Sequence, residues 1–203
     1  MMLTSETVYG WFRELIEKRR RLYSSDRIHV SEVSGCLRRA YYERTRPRPA
    51  LDPSNVVMLI GNGVHEKLQE LLASRGWLAE VEARYRVKDF WLVGHADLYH
   101  PDEQLVVELK TTNKAPEEPY KSHLIQLNAY LYMLRARRGY IVYIARNGEV
   151  KVYKHRFDKH LWRQTIQRAI ALRESIARKE KPPKEPGPWC TYCPYRWLCY
   201  TKR

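Results

Sequence analysis

The apolar positions change period along the chain, and each change marks a predicted element. Residues 5–22 place Val8, Trp11, Phe12, Leu15 and Ile16 at helical spacing, followed by the basic run Lys18-Arg19-Arg20-Arg21. Ser31–Tyr42 opens with capping residues and predicts a second helix. Arg44 to Pro53 contains Pro47, Pro49 and Pro53 and predicts a loop. From Val56 to Arg75, Val57, Ile60, Val64, Leu68, Leu71 and Leu72 recur at the helical period until Gly76 stops it. Alternation then predicts strands over Ala83–Val87, Phe90–His100 and Gln104–Thr112, the last two joined by a turn at Pro101-Asp102-Glu103.

Helical spacing returns over Tyr120–Arg138 through Leu124, Leu127, Leu131 and Leu134, ending at Gly139. Two further strands, Tyr140–Ala145 and Glu149–Phe157, flank Asn147-Gly148, a hairpin signal. Asp158 can cap a last helix running to about Glu180, and Pro182, Pro183, Pro186 and Pro188 form a stiff linker into a cysteine-bearing tail. The third strand, a helix and the fourth strand make a parallel crossover, and the other strand contacts can be hairpins. The predicted fold class is α/β, a mixed sheet flanked by helices. Its expected parts are a helical segment over 1–55, a core over 56–181 and a linker with tail over 182–203.

Charge narrows the partners. The 203 residues are 44% hydrophobic and 30% charged, an ordinary globular balance. The formal net charge is nevertheless +14, and Arg supplies 24 of the 37 basic residues. Such an excess favours a polyanion, most often nucleic acid, with Arg as the better fork for phosphate oxygens. Fifteen Tyr and six Trp add ring faces on which the bases of a single strand can stack. No apolar run approaches the roughly 20 residues of a membrane span, and the first residues lack a signal-peptide layout. A cytoplasmic protein with no membrane partner is expected, of an oligomeric state that the sequence does not reveal.

The chemistry begins where a strand should be dry. In Leu105-Val106-Val107-Glu108-Leu109-Lys110, alternation puts Leu105, Val107 and Leu109 on one face and Val106, Glu108 and Lys110 on the other. A turn centred between Asp102 and Glu103 sets Asp97 directly across from Glu108. Opposed like charges repel, and a divalent cation such as Mg²⁺ or Mn²⁺ compensates most simply, taking carboxylate oxygens while keeping positions for water and phosphate. The alternative is a solvated network in which Lys110 neutralises one acid. His65, on the helix before, could reach such a site, and Gln126 and Tyr130, four apart, share one helix face.

Four cysteines form a second set. Cys190, Cys193 and Cys199 follow a C-x2-C-x5-C pattern, and Cys36 lies far upstream. Intracellular thiols stay reduced as a rule, so a four-thiolate zinc or iron–sulfur site accounts for them better than disulfides do. Tyr41, Tyr42, Trp189 and Tyr192 are expected to pack around it.

The ordered set Gly61-Asn62-Gly63-Val64-His65-Glu66, Gly94-His95-Ala96-Asp97, Glu108-Leu109-Lys110 and Gln126-Leu127-Asn128-Ala129-Tyr130 resembles the RecB-type branch of the PD-(D/E)XK nucleases. The resemblance implies Asp97 and Glu108 as catalytic metal ligands, with His65 an additional ligand and the Leu109 carbonyl a backbone one. Lys110 would orient or activate the attacking water, with Gln126 and Tyr130 supporting the site.

One cysteine before the core and three after it, with Cys36 in a Cys-x-Arg-Arg-x-Tyr-Tyr stretch, is similar to the CRISPR-associated Cas-four family. That likeness covers roughly residues 30–200. It implies a Mg²⁺- or Mn²⁺-dependent DNA exonuclease, often acting on single strands, that works beside spacer-integration proteins. It also implies an iron–sulfur cluster on Cys36, Cys190, Cys193 and Cys199, with 4Fe–4S favoured over 2Fe–2S, joining the two ends of the chain. A stand-alone RecB-like repair or recombination nuclease, and a non-catalytic DNA-binding scaffold, are the competing readings.

Overall fold

The computed structural model of the chain describes residues 4–18, 23–46 and 53–200. Arg19, Arg20 and Arg21 of the basic run, and Pro47 and Pro49 of the expected loop, lie outside the described residues. Seven α-helices and six strands are described: α1 (Ser5–Lys18), β1 (Arg27–His29), α2 (Val30–Ser34), α3 (Leu37–Thr45), α4 (Pro53–Ala73), β2 (Leu78–Val87), β3 (Phe90–His100), β4 (Leu105–Thr112), α5 (Lys121–Met133), β5 (Arg138–Ala145), β6 (Val150–His155), α6 (Lys159–Arg178) and α7 (Arg196–Tyr200).

These strands form one mixed sheet in the order β1-β3-β4-β5-β6, with β2 also paired to β3. The β4–α5–β5 crossover is parallel, and β5–β6 is the hairpin expected around Asn147-Gly148. Strand β3 organises the sheet. Antiparallel β2 runs along one edge from Phe90 to Tyr99. The other edge is shared, β1 pairing in parallel with Trp91–Val93 and β4 pairing antiparallel with Leu98–His100. Between those two stretches, Gly94-His95-Ala96-Asp97 is left without a partner strand on that edge among the described residues.

Helices cover both faces. Leu98, Val107 and Leu109 pack against Leu68 and Leu72 of α4, while Val106, Ile141 and Tyr143 join a larger core with Leu127, Ala129, Tyr130 and Leu131 of α5. At about 25 cal/mol per Å² of apolar surface, burial of this kind is the main favourable term in folding. Inside α5, the fully buried Asn128 fastens the helix to the start of α6. Its Nδ2 donates to the Asp158 carbonyl at 2.9 Å and its Oδ1 accepts from the Asp158 amide at 2.7 Å. Asp158 caps α6 as expected, its Oδ1 accepting from the His160 amide at 2.6 Å.

Four expectations need correction. The helix over Ser31–Tyr42 is two short helices broken at Gly35-Cys36, where both residues take extended backbone, so Cys36 caps α3 rather than lying inside a helix. Strand β1 escaped prediction because a three-residue strand with one apolar residue, Ile28, carries no periodicity. Helix α5 stops at Met133 because Arg135 turns left-handed (φ +53) and Arg138 already begins β5. Gly139 therefore lies in that strand, where a Cβ would come within 2.7 Å of Leu127 Cδ1. Strand β2 begins at Leu78, five residues earlier than its alternating pattern.

Candidate active site

The stretch of β3 without a partner on its β4 edge and the middle of β4 form the candidate site. The β3–β4 register is the one expected from the turn, with Leu98 opposite Val107, but the ladder stops there. One step further, the Asp97 side chain replaces it, with Oδ2 accepting from the Leu109 amide at 2.7 Å. Glu108 is fully buried. Its Oε2 accepts from Lys110 Nζ at 2.8 Å, and its Oε1 is buried without a hydrogen-bond partner.

Electrostatics follow from this enclosure. Burial pushes the Glu108 carboxyl upward, opposed by the Lys110 ammonium and reinforced by Asp97. Burial works against the Lys110 charge as well, but the Glu108 and Asp97 carboxylates outweigh it and hold the ammonium above its ordinary range. The expected alternative, with Lys110 neutralising one acid, thus describes the Glu108 contact as it stands.

Two helices reach the opening from opposite faces, and glycines set how closely. A Cβ on Gly61 would lie 2.4 Å from Thr111 Oγ1, so the glycine lets α4 approach the end of β4. One turn on, His65 Nδ1 stands 4.0 Å from Asp97 Oδ1. His65 Nε2 is buried without a hydrogen-bond partner, and burial lowers the ring's pKa, with Asp97 acting in the opposite direction. From the other face, the buried Tyr130 ring lies against Gly94, where a Cβ would come within 2.7 Å of its Oη. Gln126 Nε2 reaches that Oη at 3.5 Å. The glycine of Gly94-His95-Ala96-Asp97 is thus room for the tyrosine of α5.

Sequence reasoning passed over several neighbours. Tyr143 is the β5 partner of Lys110. Its Oη bonds His123 Nδ1 at 2.7 Å and accepts from the Tyr120 amide at 3.1 Å. In β5, Tyr143 reads as one more core residue, whereas His123, three residues before Gln126, carried a positional signal. Gln69, four residues after His65, is only 8% exposed and donates to the Asp97 carbonyl at 3.0 Å.

Glu108 Oε1 and His65 Nε2, both buried without hydrogen-bond partners, are with the Asp97 carboxylate of the oxygen and nitrogen donor types that divalent cations take. As the side chains stand, with Lys110 holding Glu108, no three His, Cys, Asp or Glu among the described residues are gathered to hold a metal ion.

The four cysteines line one cavity with Arg38, Arg39, Tyr42, Lys184, Trp189 and Arg196 among its other walls. Burial raises the Cys36 and Cys193 thiols. Arg168 fixes the backbone beside the distant cysteine, Cys36. Its Nε donates to the Val33 carbonyl at 2.6 Å, its Nη2 to the Gly35 carbonyl, and its Nη1 to Glu185 Oε1 at 2.5 Å. Glu185 Oε2 in turn accepts from the Leu37 amide at 2.7 Å. Tyr42 lines the cavity as expected, whereas Tyr192 is 74% exposed and lies outside it. At the end of β4 away from Lys110, Asp102, Glu103, Arg137, Arg138, Lys154 and Arg156 line a charged cleft of about 440 Å³.

The family model of the PD-(D/E)XK nuclease superfamily matches residues 65–200. The chain belongs to that superfamily. The match spans the candidate acids, Lys110, Gln126, Tyr130 and the three tail cysteines. The CRISPR-associated exonuclease Cas4 of Saccharolobus solfataricus (strain ATCC 35092 / DSM 1617 / JCM 11322 / P2) is 26% identical over 188 residues, covering 86% of this chain and 88% of that protein. This PD-(D/E)XK protein is therefore Cas4-like.

Solved structures share the fold. The crystal structure of SSO0001 superposes with a TM-score of 0.74 at 22% identity, covering 98% of both chains. A phage-related exonuclease from Haemophilus somnus 129PT gives 0.57 at 13%, covering 81% of this chain and 97% of that one. The alkaline exonuclease LHK-Exo of Laribacter hongkongensis gives 0.52 at 11%, covering 84% and 93%. No described helix is long and apolar enough to cross a membrane.

Proposed function

We propose that this PD-(D/E)XK protein is a Mg²⁺- or Mn²⁺-dependent DNA exonuclease acting on single strands during CRISPR spacer acquisition. The observation that carries the reading is the split between β3 and β4, where Asp97, the buried Glu108 and Lys110 meet. Asp97, Glu108, His65 and the Leu109 carbonyl would hold the divalent ion. When bound, such an ion lowers the pKa of water, polarises the phosphate and offsets charge growing in the transition state. Lys110 orients the attacking water and offsets phosphate charge, while Gln126 and Tyr130 support the site from α5. The +14 net charge supplies the attraction for DNA.

Cys36, Cys190, Cys193 and Cys199 would hold an iron–sulfur cluster, 4Fe–4S in preference to 2Fe–2S. Four thiols on one cavity with Arg38, Arg39, Lys184 and Arg196 provide the donors and the positive surroundings for an anionic cluster. In this reading the helical segment 1–55 and the tail 182–203 close over the nuclease core 56–181. Spacer-integration proteins are the partners we propose for it.

The deciding experiment is cleavage of end-labelled single strands with Mg²⁺ or Mn²⁺ by wild type and Glu108→Ala. Loss of cleavage with DNA affinity retained supports the reading, and full activity in the purified variant defeats it. Protein purified without oxygen should be brown, and a colourless protein refutes the cluster.

A further inference from the structure

The β2–β3 ladder breaks at one position, and the break faces the candidate site. Ala79 pairs with Leu98 and Val81 with Ala96, which sets Glu80 across from Asp97 between them. Glu80 takes φ +49, a left-handed conformation that costs an ordinary side chain roughly 1–2 kcal/mol. Glycine or asparagine would sit there more easily.

Its carboxylate is nonetheless tied to the site. Gln69 Nε2 donates both to Glu80 Oε1 at 3.1 Å and to the Asp97 carbonyl at 3.0 Å. Gln69 and His65 are four apart on α4, so one helix face presents His65 to the Asp97 carboxylate and Gln69 to Glu80. The Gln69 bond to the Asp97 carbonyl needs no carboxylate on β2, so fastening α4 to β3 does not by itself account for a glutamate in a strained conformation.

We propose that Glu80 is a further carboxylate arm of the divalent-cation site, entering from the solvent side beside His65, Asp97 and Glu108. The inference rests on the metal-dependent nuclease reading. Two independent observations point to a ligand there. Glu108, fully buried, has Oε1 without a partner, and His65 Nε2 is likewise buried and unpaired. Charge supports the fourth arm. Asp97, Glu108 and Glu80 against one Lys110 leave two negative charges, which a single divalent ion neutralises before any phosphate arrives. Glu80 therefore makes the site able to hold its ion in the absence of DNA.

The test is Mn²⁺ titration of the full chain, as purified and without DNA, by calorimetry and by the spectrum of free Mn²⁺. Glu80→Gln keeps the length of the side chain and its acceptor for Gln69, and is expected to weaken Mn²⁺ binding tenfold or more, about the loss typical of a supporting group at a metal site. Glu80→Gly is expected to weaken it equally while raising the thermal midpoint, because glycine accepts the positive φ. Wild-type Mn²⁺ affinity in Glu80→Gln, with Glu108→Gln strongly weakened, overturns the inference and leaves the nuclease reading standing. Wild-type affinity in both variants overturns the reading itself.

Discussion

Asp97 Oδ2 accepts the backbone proton of Leu109 at 2.7 Å, just past the last β3–β4 pair, Leu98 with Val107. The carboxylate thus does two jobs. It ends the ladder without orphaning an amide, and it holds β4 beside it at the Glu108–Lys110 pair. Asp97→Asn keeps an acceptor oxygen for Leu109 but loses the charge. It should melt near wild type while failing to bind Mn²⁺. Asp97→Ala should fail at both, because the unpaired amide costs about 1–3 kcal/mol. Thermal melts and Mn²⁺ titrations of the two variants separate these roles, and equal stabilities would contradict the structural one.

Gly94 tests the packing beneath the site. A methyl group there meets Tyr130 at 2.7–2.8 Å, on a ring that is 2% exposed and has little room to yield. Gly94→Ala should cost about 1–3 kcal/mol by overpacking and displace Tyr130 from Gln126. Gly63→Ala, where a Cβ meets nothing within 4 Å, is the control and should melt at or above wild type, because alanine is the better residue inside a helix.

The buried ion pair Glu32–Arg44 predicts a large asymmetric loss. Both side chains are almost inaccessible, 2% and 6% exposed. The guanidinium bonds both carboxylate oxygens, Nε at 2.6 Å and Nη2 at 2.7 Å, and Glu32 Oε2 also accepts from the His29 amide at 2.7 Å. Arg44→Ala strands a buried carboxylate and should cost about 3–5 kcal/mol in denaturant unfolding. The double variant Glu32→Leu/Arg44→Met should recover much of that loss, since an apolar pair carries no unpaired charge.

Much of this architecture was legible in the sequence because it rests on local periodicity. The alternation of β4 put Glu108 and Lys110 on one face, and a short turn at Asp102-Glu103 fixed the strand register. What escaped was decided by tertiary contact. Nothing local distinguishes Tyr143 from the core residues of β5, yet parallel pairing sets it beside Lys110. Gln69 and Glu80 are polar residues on exposed-looking stretches until the β2–β3 pairing and α4 bring them to Asp97. The break at Gly35-Cys36 interrupts a helical pattern because Arg168 and Glu185 bind the local backbone groups from the far end of the chain.

That clamp should matter for the thiol cavity. Arg168→Ala leaves Glu185 and the Val33 and Gly35 carbonyls without their partner, at about 1–3 kcal/mol for each group left buried and unpaired. The backbone just before Cys36 then loses its tether to α6. On the proposed iron–sulfur reading, the expected outcome is less iron per chain, a weaker visible absorbance and faster proteolysis near Pro182–Pro188. Arg168→Lys should not restore them, because an ammonium cannot reproduce the planar fork. Wild-type iron content in Arg168→Ala would show that the cysteines gather without it.

Acid should unfold the protein partly through His123. Burial, with the Lys110 charge adding to it, pushes the ring's pKa down to about 3, far below the roughly 6.5 of an unfolded histidine. The folded state keeps His123 neutral and bonded to Tyr143 Oη at 2.7 Å, while the unfolded chain takes up a proton. Its contribution is therefore complete above pH 6.5 and is lost as pH falls toward 3, at up to about 1.4 kcal/mol per pH unit. His123→Gln offers Tyr143 a polar partner that does not titrate. Urea unfolding at pH 7, 5.5 and 4.5 should show a shallower decline for the variant than for wild type. Parallel declines would mean that His123 is protonated at no cost in the folded protein.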